Sequence, residues 1–247
     1  MIARFLFTVS LLMISLLLTQ PCRAEEYKFV SIDGLYEQQV GQIILPQIYK
    51  KLGIDISITP MPGNRAVLET VSGRMDGEIM RIGSYGIDHP EVLRIPTSYY
   101  HLETMAFYKK GSSVDITSAK DLSQYSVLKV RGVKHTSNIT KGLENVYDYD
   151  DTVSMLNALD KHRVNIALTH AGDGLFAIVK HQIKDIDYNI SKPLSILPLY
   201  HYVHKKNVHL VEQVDRIIRE MKASGELDKI IDRAEKEVFE LHGLPLK

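Results

Sequence analysis

Residues 67–81 read as a helix, a glycine stop and a buried strand, and the chain uses that grammar twice. Val67, Leu68, Val71 and Met75 are spaced for one apolar helix face. Gly73 suits the stop, because glycine takes the left-handed backbone that ends helices. After Asp76 a short buried strand is expected, ending in the cation Arg81. The pattern recurs over 156–168, where Leu156 and Leu159 lead through Arg163 into Val164, Ile166 and Leu168. Helices alternating with buried strands build parallel α/β sheets. The repeat therefore predicts two similar α/β lobes. Ligands gather beyond the carboxyl ends of strands in such sheets, so Arg81 stands where a site is expected. A cleft between lobes is a common place to hold a small molecule.

The amino terminus reads as an address. Arg4 precedes a nearly unbroken apolar run from Phe5 to Leu18. That run is roughly 14 residues, short of the roughly 20 a spanning helix needs. Small residues at Cys22 and Ala24 fit signal-peptidase cleavage after Ala24, which predicts residues 1–24 as a signal peptide and a periplasmic protein. Cleavage removes the only cysteine, and with it disulfides, thiolate nucleophiles and cysteine metal sites. About 220 residues remain, enough for one large domain or two small lobes. The formal net charge of the whole chain is zero, and no lysine or arginine block stands out. Nucleic acid and acidic membrane surfaces are thus excluded as expected partners.

A pass along the chain gives β-α-β-α-β and then a second start. Lys28–Ile32 is a strand, Val40–Leu52 a helix that Pro46 is expected to kink, and Ile54–Ile58 a strand. After the loop at Pro60–Asn64 comes the helix Arg65–Arg74. Met105–Gly111 reads as a strand ended by a glycine turn. Tyr125–Val130 opens the second lobe, Thr136 and Ser137 offer helix caps, Thr152–Lys161 is a helix and Val164–Thr169 a strand. Ile196–Tyr200 carries the chain back, and Val208–Glu237 is helical with a break at Ser224-Gly225.

This order resembles the extracellular solute-binding proteins of family 3, the polar amino acid receptors of ABC importers. The likeness rests on the strand Met105-Ala106-Phe107-Tyr108-Lys109-Lys110-Gly111, on Leu156 and Leu159 followed by Arg163-Val164-Asn165, and on the tail from Ile217 to Ile231. It implies a type II periplasmic-binding-protein fold: two α/β lobes joined by two crossover strands around a closing cleft. It places residues 25–105 and 200–247 in the first lobe and 106–199 in the second. It further implies a small polar, carboxylate-bearing solute, a transient membrane ABC permease or membrane sensor as partner, a monomer, and no cofactor.

The resemblance also implies where ligand would be held. The family's carboxylate-clamping arginine falls at Ile87-Asp88-His89-Pro90, where this chain has none. Arg81 can supply the cation instead, since a guanidinium meets a carboxylate through two parallel hydrogen bonds. Its alternative is a scaffold pair with Glu78. Arg65 opens a helix after the Pro-Gly-Asn loop and faces either the cleft or water. The family's anion-holding turn resembles 130–137, which nominates Arg131, Thr136 and Ser137, with simple capping as the alternative. His135 stands there where the family often has glycine. Asp173 lies near the family's ammonium holder, or caps its own helix. His170 is a weaker candidate beside it. Asp33, Tyr36 and Glu37 fall where the family places stacking aromatics, so Tyr36 either stacks on ligand or packs on the surface.

Other chemistries fit less well. His201, His204 and His209 are close in sequence, yet their spacing fixes no ligand geometry, and no metal site is expected. No Gly-x-Ser-x-Gly, His-Glu-x-x-His or phosphate loop occurs. The main expectation is a periplasmic receptor and not an enzyme. The alternatives are a sensory module acting in trans on a membrane signalling protein, and a cyclohexadienyl dehydratase-like enzyme using Glu78 and His170 as acid and base.

Overall fold

The computed structural model describes residues 26–161, 166–188 and 192–241. The expected signal peptide and the Arg163-Val164-Asn165 signature lie outside the described residues. The first lobe opens with β1 (Tyr27–Ile32), α1 (Tyr36–Lys50), β2 (Ile56–Met61), α2 (Gly63–Val71) and β3 (Gly77–Ile82). Short α3 (Tyr85–Asp88) and β4 (Val92–Arg94) lead into the long strand β5 (Tyr100–Lys109). The second lobe holds β6 (Val127–Val130), α4 (Lys134–Ile139), β7 (Val146–Tyr149), α5 (Thr152–Lys161), β8 (Ile166–His170), α6 (Ala171–Lys180) and β9 (Ile186–Tyr188). A second long strand, β10 (Ser195–His204), returns to the first lobe, which α7 (His209–Ala223) and α8 (Glu226–Leu241) complete.

The strands hydrogen-bond in the order β2-β1-β3-β10-β5-β8-β6-β7. β1 pairs in parallel with β2 and β3, and β6 in parallel with β7 and β8. Between these parallel halves run β10 and β5, antiparallel to each other from Ser195↔Thr104 to Leu199↔Tyr100. β10 continues onto β3 and β5 onto β8, so each long strand serves both lobes. This is the two-lobe, two-crossover arrangement expected from the sequence.

Local chemistry explains the elements. Gly73 has φ +74°, and Gly225 between α7 and α8 has φ +71°, the left-handed conformation expected at helix ends. α1 begins at Tyr36 and runs unbroken through Pro46, where the sequence predicts a later start and a kink. Its apolar stripe Val40, Ile44, Leu45 and Ile48 is fully buried against Phe29 and Ile79, and that burial offsets the hydrogen bond that proline removes. The second lobe buries Phe107, Leu128, Leu156 and Ala167 on one sheet face and Leu122, Val127, Ile166 and Leu168 on the other. One prediction fails in detail. Thr136 and Ser137 lie inside α4 and cap nothing, because the helix starts two residues earlier, at Lys134, with Val133 as the flanking residue.

Candidate functional site

A cavity of about 580 Å³ opens between the lobes, within the range of small-molecule pockets. The first lobe contributes Asp33, Glu37, Gln38 and Asn64 together with Arg81 and Tyr85. The second lobe contributes Arg131, Lys134, His135, Asp150 and Thr152. Arg81 comes from the carboxyl end of β3, and Arg131 follows the carboxyl end of β6, so both sit where α/β sheets place their ligands.

Arg81 is held tightly by its own lobe. Its Nε donates to Glu78 Oε2, the Tyr85 hydroxyl donates to Glu78 Oε1, and the guanidinium lies 4.8 Å from the Tyr85 ring centre. Nη2 reaches Gly63 O at 3.4 Å. Residues three apart in a regular strand point to opposite faces. Here the pairing with β10 shifts register between Tyr200↔Arg81 and Tyr202↔Glu78, and this irregularity brings the two side chains together. Glu78 is 1% exposed and does not line the cavity. Burial first, then the Glu78 carboxylate, pushes the Tyr85 phenol well above its ordinary value. Arg81 thus reaches the cavity with a buried counter-charge already bound.

The other cavity cations are also paired. Arg131 Nη1 donates to Asp150 Oδ1 at 2.9 Å. Lys134 Nζ donates to Asp88 Oδ2 at 3.2 Å, a contact that crosses from the second lobe to the first. Glu37 differs. It is 4% exposed, lines the cavity, and its Oε2 has no hydrogen-bond partner among the described residues. Burial is the main cause that holds its carboxyl well above the usual range, and the neighbouring Asp173 adds to it.

Asp173 acts across the lobes. It lies in the first turn of α6, but its Oδ1 accepts from the Tyr36 backbone N–H at 2.7 Å. The first N–H groups of a helix have no partner of their own, so Asp173 satisfies the start of α1 instead of capping its own helix. Burial raises its carboxyl to about 6. Tyr36, 4% exposed, fills the seam between His170, Phe176 and Phe239, with ring centres 5.4 to 6.2 Å away. It neither lines the cavity nor packs on the surface.

The remaining expected residues sit elsewhere. Arg65 is exposed and stands 3.9 Å from Glu69, away from the cavity. Thr136 is buried, and its hydroxyl donates to Val133 O at 3.2 Å. The Ser137 N–H donates to Val133 O, and its hydroxyl accepts from Lys129 Nζ at 3.3 Å. Neither lines the cavity, since the helical turn has already used the groups expected to face an anion. His135 is buried and its Nδ1 pairs with Thr104 Oγ1 at 2.8 Å on β5. Burial lowers its imidazole to about 3 and that of His170 to about 4. His170 Nδ1 lies 3.2 Å from the Glu103 backbone, and the residue is not part of the cavity wall. The structure therefore brings Arg81 and Arg131 to the cavity and leaves Arg65, Glu78, Tyr36, Thr136, Ser137, Asp173 and His170 outside its lining. Glu37 was legible as an anomaly: it is an acid on the same helical stripe as Val40, Gly41, Ile44 and Ile48.

The profile of the bacterial extracellular solute-binding proteins, family 3, matches residues 20–235. The fold is similar to the GluR0 ligand-binding core in complex with L-glutamate (TM-score 0.70, 10% identity, covering 86% of this chain and 98% of that one). It is similar to a protein from Wolinella succinogenes described as the binding component of an ABC transporter, complexed with lysine (TM-score 0.67, 13% identity, 84% and 94%). It is also similar to a histidine kinase sensor domain related to periplasmic binding proteins (TM-score 0.65, 13% identity, 85% and 95%). These likenesses show the type II periplasmic-binding fold.

Proposed function

The chain belongs to the bacterial extracellular solute-binding proteins, family 3, and from that membership we propose that it captures a small polar solute of amino-acid size between its lobes and delivers it to an ABC importer in the membrane. The observation that carries this reading is the cavity itself: both lobes line it, and Lys134–Asp88 ties its two rims. A solute touching both walls binds the closed form better than the open one, and that difference drives closure. The signal-peptide pattern supports a periplasmic protein, and the neighbours complexed with glutamate and lysine support an amino-acid-like solute. The carboxylate expected on that solute would have to share Arg81 with Glu78. No step of catalysis is proposed: Glu78 is spent on Arg81 and Tyr85, and His170 stands outside the cavity wall.

Native mass spectrometry of the protein purified from the envelope tests the reading. A small-molecule adduct that is lost on unfolding is expected, and its composition shows directly whether a carboxylate is present. A protein carrying no adduct, and gaining none from whole-cell extract, refutes it. The likeness to a histidine kinase sensor domain favours a second reading, in which the same captured solute is reported to a membrane signalling protein. Loss of solute uptake on deletion of the chain supports delivery. Intact uptake with altered signalling output supports sensing.

A further inference from the structure

On the solute-capture reading, we propose that the cavity selects a small organic cation, an amine or guanidine lacking the α-carboxylate of an amino acid, with Glu37 as its counter-charge.

Two independent observations lead there. The first is that the cavity's arginines and lysine each already pair with a carboxylate of the protein. Arg81 is bound to Glu78, Arg131 to Asp150, and Lys134 to Asp88. Glu78 matters most, because it is buried and its two oxygens are taken by Arg81 and Tyr85. A protein carboxylate therefore already neutralises Arg81 through its Nε, while Nη2 reaches only Gly63 O at 3.4 Å. A second carboxylate arriving there would meet a neutralised pair, and removing it from water would be poorly repaid.

The second observation is Glu37. A buried carboxyl oxygen without a partner is costly, and native structures carry few of them. Glu37 Oε2 is such an atom, on a residue that lines the cavity. The charged and titratable groups facing it are Asp173 from α6, Arg81 from β3 and Tyr100 from β5. Asp173 is spent on the Tyr36 N–H, and Tyr100 donates to Glu235 at 2.6 Å. Arg81, already bound to Glu78, is the one cation in that set. An ammonium or guanidinium entering the cavity gives Glu37 the donor that the described residues do not supply. Burial beside Asp173 favours the protonated form of Glu37, so a cation entering there expels that proton to solvent.

Matched pairs test the proposal: agmatine against L-arginine, and cadaverine against L-lysine, each pair differing by the α-carboxylate. Calorimetry on the mature protein is expected to show each amine binding at least tenfold tighter than its amino acid. Titration in buffers of different ionisation enthalpy should show net proton release, and Glu37→Gln should abolish both the preference and the release. Because a folding defect could mimic that loss, Glu78→Gln supplies a gain. It frees Arg81 and should move the preference toward arginine and lysine. Amino acids binding as tightly as the amines, no binding by any of the four, or an undiminished preference in Glu37→Gln overturns the proposal. A captured extract solute bearing an α-carboxylate overturns it while leaving solute capture standing. Absence of any captured solute removes both.

Discussion

Replacing Gly172 by alanine should push the lobes apart, whereas Gly174→Ala, two residues along the same helix, should loosen the second lobe without opening the cleft. A Cβ at Gly172 would lie 2.2 Å from Cδ1 and 2.4 Å from Cε1 of Tyr36. Ordinary contact begins near 3.4 Å, so more than an ångström of separation is required. The Tyr36 ring cannot swing aside freely, because it is packed among His170, Phe176 and Phe239. The strain relieves most directly by moving α6 off α1, which breaks the 2.7 Å bond from Tyr36 N–H to Asp173. Overpacking costs about 1–3 kcal/mol, and a hydrogen bond to a charged group contributes about 1.5–3 kcal/mol. With partial relaxation the closed form should lose about 2–4 kcal/mol, a factor of roughly 30 to 700 in the closed-to-open ratio. Gly174 faces inward instead, and its Cβ would fall 2.1 Å from Cζ of the fully buried Phe107. That change should lower Tm by roughly 2–12 °C. Spin labels on cysteines placed at exposed Leu68 and Asn138 read the interlobe distance, because the chain's one natural cysteine, Cys22, lies within the expected leader. A longer distance in Gly172→Ala alone is the expected result. Identical distance distributions in both variants and the parent would refute the assignment of this seam as the closing contact.

Other perturbations follow from single contacts. A Cβ at Gly77 would meet the Tyr202 carbonyl oxygen at 2.0 Å and Val203 Cα at 2.9 Å, both backbone atoms; Gly77→Ala should therefore cost about 3 kcal/mol or more in urea unfolding. Burial lowers the His201 imidazole to about 4, so its contribution is complete above pH 6.5 and is lost as pH falls toward 4. His135 and His170 act in the same direction, while Glu37 and Asp173, raised by burial, favour lower pH. His201→Gln should flatten the fall in unfolding free energy between pH 6.5 and 4 by about 1.4 kcal/mol per pH unit, and an unchanged slope would reject this account. Lys134→Ala removes an exposed pair with Asp88 and should shift Tm by no more than about 4 °C, with the shift vanishing in 1 M salt.

The sequence by itself determined the architecture. Apolar spacing on α7, the glycines at 73 and 225, and the alternation of helix and strand follow from local rules that need no partner, whereas the apolar face expected on α2 fails: the helix ends at Val71, before Met75, buries Ala66 and Thr70, and leaves Leu68 exposed. The strand motif Met105–Gly111, which resembles the family's first crossover, and the run Ile196–Tyr200 pointed to the two long strands β5 and β10. Arg81 was legible at the site because strand ends mark it in any parallel α/β sheet, and Arg131 because 130–137 resembles the family's anion-holding turn. Only the tertiary structure decided what those residues are free to do. The irregular pairing of β3 with β10 turns Glu78 toward Arg81, and no spacing rule shows a register shift. Packing of α6 against α1 sends Asp173 to the other lobe's helix start, and an early start of α4 consumes Thr136 and Ser137. Glu37 was visible as an acid on an apolar stripe, at a position the resemblance marks for ligand-stacking aromatics. That it lines the cavity with one oxygen lacking a partner among the described residues depends on how distant elements pack, a long-range outcome that local sequence does not encode.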